Sequence, residues 1–191
     1  MRNSVKNRET RETRVRVQIN LDGTGTSRIN TPVAFLNHML TSLSTHSMID
    51  LEVEASGDLS HHIMEDVALV LGDALRDVLG DARGITRFAS AAVPMDESLA
   101  EAVLDLSGRP YSVIDISTRG ERVEDMACED ATHFLQSFAS SAHITLHVHV
   151  LYGNNDHHRI EATFKALALC LREAVRIDPI RKGAPSSKGV L

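Results

Sequence analysis

Residues 61–65 (His-His-Ile-Met-Glu) and residues 157–161 (His-His-Arg-Ile-Glu) carry the same His-His-x-x-Glu pattern, 96 residues apart. The stretch that starts at His38 (His-Met-Leu-Thr-Ser-Leu) likewise aligns with the stretch that starts at His133 (His-Phe-Leu-Gln-Ser-Phe), at an offset of 95 residues. Matching segments in the same order at nearly the same offset indicate an internal duplication. The sequence therefore predicts one domain built from two copies of the same unit.

Hydrophobic patterning gives the two copies the same order of elements. Some segments alternate apolar and polar residues with the period of a strand, and others have the i, i+3, i+4 apolar spacing of an amphipathic helix. Strands are predicted over 15–21, 50–55 and 144–150, with two or three more between 86 and 124, and helices over 31–43, 61–79, 129–140 and 156–175. We expect an α+β fold with repeats over about 10–85 and 86–180, each a small sheet packed against a pair of helices, and a loop-like tail over 181–191.

Composition excludes several classes of protein. The 191 residues carry a net charge of −6 and only 4% aromatic residues, which argues against binding nucleic acid through basic surface and stacking rings. No apolar run is long enough to span a membrane. The two cysteines, Cys128 and Cys170, are interpreted as thiols of a protein in the reducing cytoplasm. The unusual count is 10 histidines, about twice ordinary usage, and it points to a metal site.

The spacing of the His-His-x-x-Glu pattern predicts how each helix presents its ligands. Residues i and i+4 share a helix face, whereas residue i+1 lies about 100° away. His61 and Glu65 can therefore hold one metal ion while His62 points elsewhere, and the second copy repeats this arrangement. By the pseudo-twofold symmetry of the repeat, each site would also take the diverging histidine of the other helix and one histidine of a preceding helix. The resulting three imidazoles and one carboxylate suit a first-row divalent ion, and an octahedral ion would keep two positions open for substrate. The predicted metal ligands are His38, His61, His62, Glu65, His133, His157, His158 and Glu161.

Around these residues the sequence resembles the imidazoleglycerol-phosphate dehydratases over nearly its whole length. The matching segments are 11–13 (Arg-Glu-Thr), 20–25 (Asn-Leu-Asp-Gly-Thr-Gly), 35–40 (Phe-Leu-Asn-His-Met-Leu), 106–111 (Leu-Ser-Gly-Arg-Pro-Tyr), 156–158 (Asp-His-His), 160–166 (Ile-Glu-Ala-Thr-Phe-Lys-Ala) and 185–191 (Pro-Ser-Ser-Lys-Gly-Val-Leu). The chain departs from the family pattern at Asn37, at Thr132 and in a shortened segment before His61. These departures bear on the orientation of the imidazoles and remove no ligand.

The resemblance implies a ribosomal protein S5 domain 2-like fold, two Mn²⁺ ions per active site (with other first-row divalent metals as alternatives), and a shell of twenty-four subunits with active sites between them. One metal would be held by His38, His62, His157 and Glu161, and the other by His61, Glu65, His133 and His158. The residues that would contact the substrate are Glu12, His38, His61, Glu65, Arg87, Arg109, His157, Lys165, Ser186, Ser187 and Lys188.

The implied reaction is a step of histidine biosynthesis, in which D-erythro-imidazole glycerol phosphate loses water to give imidazole acetol phosphate. A substrate imidazole bound between two cations can be held as imidazolate and can expel the neighbouring hydroxyl, giving a diazafulvene-like intermediate. A carboxylate then removes the carbon-bound proton, and Glu12 is the candidate base. Two other classes also account for the histidines, a metal-assembled cage without chemistry and a dinuclear metallohydrolase, but neither accounts for Glu12 or the cationic tail.

Overall fold

The two halves of the chain repeat the same order of strands and helices. The computed structural model describes residues 2–189. The first half contains β1 (Asn3–Glu9), β2 (Thr13–Asn20), β3 (Ser27–Asn30), α1 (Ala34–Ser47), β4 (Asp50–Gly57) and α2 (Ser60–Leu79). The second half contains β5 (Phe88–Met95), β6 (Ser98–Asp105), β7 (Tyr111–Asp115), the short pair β8 (Arg122–Val123) and β9 (Met126–Ala127), α3 (Cys128–Ala142), β10 (Thr145–Tyr152) and α4 (Asp156–Ala174).

Each half forms a four-stranded sheet of the same topology. The strand orders are β1-β2-β4-β3 and β5-β6-β10-β7. Pairing is antiparallel except that β3 runs parallel to β4 and β7 runs parallel to β10. Burial alternates along β2 and β6, so that one face of each sheet is apolar and packs on helices. The apolar faces and the helices contribute to one continuous core.

The helices pair across the two halves, and this pairing builds the functional site. Helix α1 packs against α4, and α2 packs against α3. Gly72 of α2 permits the second contact, because a Cβ there would lie 2.7 Å from the backbone oxygen of Phe138 and 2.8 Å from the backbone nitrogen of Ala142. His38 on α1 and His61 on α2 therefore each meet a helix of the other half.

The structure adds strands that the apolar pattern did not predict: β1, β3 and, beyond the two or three expected between 86 and 124, the short pair β8 and β9. Strand β1 pairs with β2 over its whole length, yet its apolar residue Val5 is 47% exposed and only Ser4 is buried. This edge strand has no buried apolar face. It is held instead by ion pairs of its Lys6 and Arg8 with acidic residues of α2. Strand β3 has only 4 residues, too few for a periodic pattern to be visible.

Two further predictions concern the tail, expected to be a loop, and the helices, none of which was expected to span a membrane. Residues 181–189 contain no helix or strand, and Val190 and Leu191 of the predicted tail lie outside the described residues. Among residues 2–189, no helix combines the length and the apolar character that crossing a membrane would require.

Candidate metal centre and active site

The first group of potential metal ligands lies between α1 and α4, and we call it the α1/α4 cluster. It contains His38, His157 and Glu161, whose potential ligand atoms all lie within 4.8 Å of one another. The Nε2 atoms of His38 and His157 lie 3.4 Å and 3.2 Å from Oε2 of Glu161. His157 and Glu161 are one helical turn apart, as the i, i+4 spacing predicted, and His38 comes from the other half.

The second group lies between α2 and α3, and we call it the α2/α3 cluster. It contains His61, Glu65 and His133, again with ligand atoms within 4.8 Å of one another. The rings of His61 and His133 stack with their centroids 5.0 Å apart. Nε2 of His133 is buried and has no hydrogen-bond partner among residues 2–189, although Oε1 of Glu65 lies 3.5 Å away. A buried imidazole nitrogen without a partner is costly, and a metal ion in this cluster would satisfy it.

The remaining two predicted ligands point away from both clusters. Nδ1 of His62 lies 2.8 Å from Oδ1 of Asp58, and Nδ1 of His158 lies 2.6 Å from Oε2 of Glu97. Neither histidine joins either group of ligand atoms within the described chain. A single chain therefore brings together three of the four predicted ligands of each metal.

Four imidazoles have a carboxylate at Nδ1, and none of these carboxylates was predicted from the sequence. Besides Asp58 and Glu97, Asp130 lies 2.6 Å from His61 and Glu124 lies 3.3 Å from His157. A carboxylate that accepts the Nδ1 proton fixes the tautomer and leaves the Nε2 lone pair free for a metal. Asp58 could have been found, because it lies four residues before His62. The other three are brought to their partners only by the fold.

The two residues at which the chain departs from the family pattern do not supply these contacts. Asn37 is bonded to Thr31, accepting from its backbone N–H and hydroxyl and donating to its carbonyl. Thr132 makes no side-chain hydrogen bond among residues 2–189. The imidazoles are oriented by carboxylates elsewhere in the chain.

Two carboxylates at the site are held ionised. A hydrogen bond with His158 lowers the pKa of Glu97 far below its ordinary value, and two backbone N–H groups add to this effect. Burial alone would raise the pKa of Glu161, but the ion pair with Lys165 and the hydrogen bond with His38 lower it overall. Both groups therefore carry a negative charge at neutral pH. Glu161 is then in the form that binds metal, and Glu97 is in the form that accepts the Nδ1 proton of His158.

The candidate base lies at the edge of this region. Glu12 lies in the turn that follows β1. Its backbone oxygen accepts a hydrogen bond from the N–H of Asp58 at 3.1 Å. The next residue, Thr13, donates its hydroxyl to the buried carboxylate of Asp66. Oε2 of Glu12 lies 3.6 Å from Nδ1 of His62 and is largely exposed. Glu12 is therefore fixed beside a predicted ligand, with its carboxylate open to a substrate.

The predicted phosphate-binding residues occupy separate places. Arg87 pairs with Asp105 at 2.7 Å and donates to the backbone oxygen of Pro185, which ties the tail to the residue just before β5. Lys165 pairs with Oε1 of Glu161 at 2.7 Å. Arg109 lies in the loop between β6 and β7, and no hydrogen bond or ion pair within residues 2–189 joins it to Lys165 or to the tail.

In the described part of the tail, residues 186–189 form a turn. The hydroxyl of Ser186 accepts from the N–H of Lys188, and the Ser186 carbonyl accepts from the N–H of Gly189. Ser187 and Lys188 are exposed. The described chain thus brings Arg87 and the tail together, but it does not gather all of the predicted substrate contacts.

Comparison with known proteins decides the family. A family model described as imidazoleglycerol-phosphate dehydratase matches residues 31–171, which include both clusters. The chain belongs to the imidazoleglycerol-phosphate dehydratase family. The predicted family is confirmed, and membership makes the chain an enzyme of the hydro-lyase class, with a place in histidine biosynthesis.

Individual dehydratases match the chain along almost its whole length. It is 51% identical to imidazoleglycerol-phosphate dehydratase of Methanothermobacter thermautotrophicus, over 100% of this chain and 98% of that protein. It is also 51% identical to the enzyme of Azorhizobium caulinodans, over 96% and 95% of the two chains.

Solved dehydratase structures share the fold. The crystal structure of the Staphylococcus aureus dehydratase has a TM-score of 0.85 and 37% identity, covering 92% of this chain and 99% of that chain. The dehydratase of Pyrococcus furiosus, in complex with (S)-C348, has a TM-score of 0.85 and 34% identity over 97% and 100% of the chains. The predicted α+β fold of two duplicated halves is therefore confirmed.

Proposed function

We propose that this chain converts D-erythro-imidazole glycerol phosphate to imidazole acetol phosphate at a two-metal site that is completed between copies of the chain. The observation that carries the proposal is the pair of clusters, each with two imidazoles and one carboxylate in place and each one imidazole short of its predicted set. His62 and His158, which point away from the clusters of their own chain, are free to supply the missing ligands to other copies.

The donor set fits Mn²⁺ or another first-row divalent cation. Imidazole and carboxylate suit such ions, and the clusters contain no thiolate, because both cysteines are buried elsewhere. The α1/α4 cluster with His62 of another copy would hold one ion, and the α2/α3 cluster with His158 of another copy would hold the second. When bound, the two cations would lower the pKa of a substrate imidazole that they coordinate.

This ligand sharing supports a closed homo-oligomer, and we propose the shell of twenty-four subunits that the resemblance implies. Helix α2 would bind the metal of its own chain through His61 and Glu65 and a metal of another copy through His62. Helix α4 would do the same through His157 and Glu161 on one side and His158 on the other. Closed symmetry lets each copy give and receive such ligands. Free, buried cysteines fit our placement of the enzyme in the cytoplasm.

The protein's own groups have distinct roles in the proposed reaction. Glu12 accepts the carbon-bound proton, and its exposed carboxylate lies beside His62 because the turn is hydrogen-bonded to Asp58, just before α2. The cations Arg87, Arg109, Lys165 and Lys188, with Ser186 and Ser187, hold the phosphate by charge and hydrogen bonding.

Chelation tests the proposed function and the shared sites together. We expect the isolated protein to hold about two metal ions per chain and to dehydrate imidazole glycerol phosphate. Removing the metal should abolish turnover, lower the thermal midpoint of unfolding and reduce the size of the oligomer, because three ligands of each ion come from two helices of one chain and the fourth comes from another copy. Metal analysis, light scattering and the dehydration assay measure these effects.

Two other results would reject the proposal. Unchanged oligomer size and thermal stability after chelation would show that the metals are not shared between copies. Bound metal without any dehydration would favour a cage, and hydrolysis of a phosphate ester or amide in its place would favour a metallohydrolase.

Truncation of Lys188 tests the predicted phosphate contacts of the tail. Arg87 fixes the tail at Pro185, and Lys188 is exposed just beyond it. We expect Lys188→Ala to raise KM by roughly 10- to 100-fold, the typical effect of one lost charge-assisted contact. Metal content and oligomer size should not change. Lys182→Ala, an exposed lysine earlier in the tail, is the matched control. Equal KM values for Lys188→Ala and the parent enzyme would remove the tail from substrate binding.

A further inference from the structure

The two clusters have the same ligand types but different surroundings. Duplication supplies each with two histidines and a glutamate, so equal metal affinity would be the simplest expectation. Some of the residues that contact these ligands are not duplicated. At two positions related by the repeat, one half carries a charged side chain and the other an apolar one, and both positions contact metal ligands.

The first difference is at Asp130. This carboxylate is only 4% exposed, and its Oδ1 lies 2.6 Å from Nδ1 of His61 in the α2/α3 cluster. The offset of 95 residues that relates His133 to His38 also relates Asp130 to Phe35. The Phe35 ring occupies the corresponding place, edge-on to His157 with the centroids 4.9 Å apart. His157 has instead Glu124, which lies farther away at 3.3 Å and is 63% exposed.

The second difference is at Lys165. Its Nζ lies 2.7 Å from Oε1 of Glu161, the carboxylate ligand of the α1/α4 cluster. The offset of 96 residues that relates Glu161 to Glu65 relates Lys165 to Leu69. A metal ion in the α1/α4 cluster must therefore share Glu161 with an ammonium group, whereas Leu69 places no charge beside Glu65.

Both differences favour stronger metal binding at the α2/α3 cluster. The α2/α3 cluster has two carboxylates, Glu65 and Asp130, and the buried one is poorly screened by water. In the α1/α4 cluster the charge of Glu161 is offset by Lys165, and Glu124 is too exposed to contribute much. The predicted fourth ligands do not favour either site, since each is already held by a carboxylate at similar distance, Asp58 for His62 and Glu97 for His158.

We infer that the α2/α3 cluster is the tighter of the two metal sites, filling first and emptying last, with Asp130 as its positioning residue. The α1/α4 cluster is then the site whose metal exchanges. This inference rests on the proposed function, because it assumes that both clusters bind metal.

Equilibrium dialysis of the assembled enzyme tests the inference without using activity. The Mn²⁺-loaded protein is dialysed against buffers of fixed free Mn²⁺, bound metal per chain is measured by atomic emission, and oligomer size is checked by light scattering. We expect two classes of site in the parent enzyme. Asp130→Asn should weaken the tight class by about 10- to 100-fold and leave the weak class unchanged, as is typical for a lost carboxylate partner of a metal-bound histidine.

Lys165→Met is the reciprocal variant, and it should tighten the weak class by roughly 10-fold, because Glu161 then loses a competing charge-assisted bond. A gain in affinity cannot come from damage to the fold. Glu124→Gln, the exposed partner of His157, is the matched control and should change the weak class by less than about fivefold. Two equal sites in the parent enzyme would overturn this inference but not the proposed function. The same holds if Asp130→Asn weakened metal binding at the weak class of site and not at the tight class. A protein that retained no metal would overturn the proposed function as well.

Discussion

His61→Ala and His157→Ala should each abolish dehydration, with kcat at least about 10³-fold below that of the parent enzyme. Each substitution removes one imidazole from a different cluster, and the proposed reaction needs positive charge on both sides of the substrate ring. Loss of a single preorganised group that stabilises developing charge typically costs about 10²- to 10³-fold in kcat, and loss of a metal ion removes more than one such interaction. Metal content should fall in each variant from about two ions per chain to about one.

His149→Ala is the matched control for both variants. It removes an imidazole that is exposed on β10 and belongs to neither cluster. We therefore expect kcat to stay within about threefold of the parent value and metal content to stay at about two ions per chain. If His61→Ala or His157→Ala kept most of the parent activity, a mechanism with one metal ion would describe the enzyme better.

The repeat and the helical spacing predicted much of this site because both are local properties of the chain. His61 and Glu65 are one turn apart on α2 whatever the rest of the fold does, and the same holds for the equivalent pair on α4. The divergence of His62 also follows from helix geometry alone. These features need only a helix, and the apolar pattern of both segments predicted one.

The cross-half pairing of helices could not be predicted from the residues in the same way. Whether His38 joins His157 or His61 depends on which helices pack together, and α1 against α4 is a tertiary contact. The resemblance supplied that assignment. The carboxylate of Asp130 escaped notice for a related reason, since it lies 69 residues from His61 and only the close packing of α2 on α3 at Gly72 brings the two together.

Polar strands were also not predictable from the apolar pattern. Strand β1 has no apolar face, so periodicity has nothing to detect, yet it carries the turn that holds Glu12. The ion pair of Arg8 with Asp66 and the hydroxyl bond of Thr13 to the same carboxylate fix that turn against α2. The position of the candidate base is therefore set by charged and polar contacts that become visible only in the folded chain.

Glu12→Gln should lower kcat by about 10²- to 10⁴-fold, the usual contribution of a positioned general base, while leaving metal content and oligomer size unchanged. Glutamine has nearly the same shape but cannot accept the carbon-bound proton. The contacts that hold the turn use the backbone oxygen of Glu12 and the side chain of Thr13, and the substitution alters neither. Steady-state kinetics and metal analysis on the same preparation measure both parts of the prediction.

Glu9→Gln is the matched control, because Glu9 is an exposed carboxylate at the other end of the same turn and pairs only with the exposed Arg14 among residues 2–189. Its kcat should equal that of the parent enzyme within about twofold, since exposed ion pairs contribute little. Parent-like kcat in Glu12→Gln would exclude Glu12 as the base. A loss of metal in that variant would have a different meaning, because Oε2 of Glu12 lies only 3.6 Å from Nδ1 of His62. The carboxylate would then act by orienting a metal ligand, and the group that removes the proton would have to be sought among the other acidic residues beside the clusters.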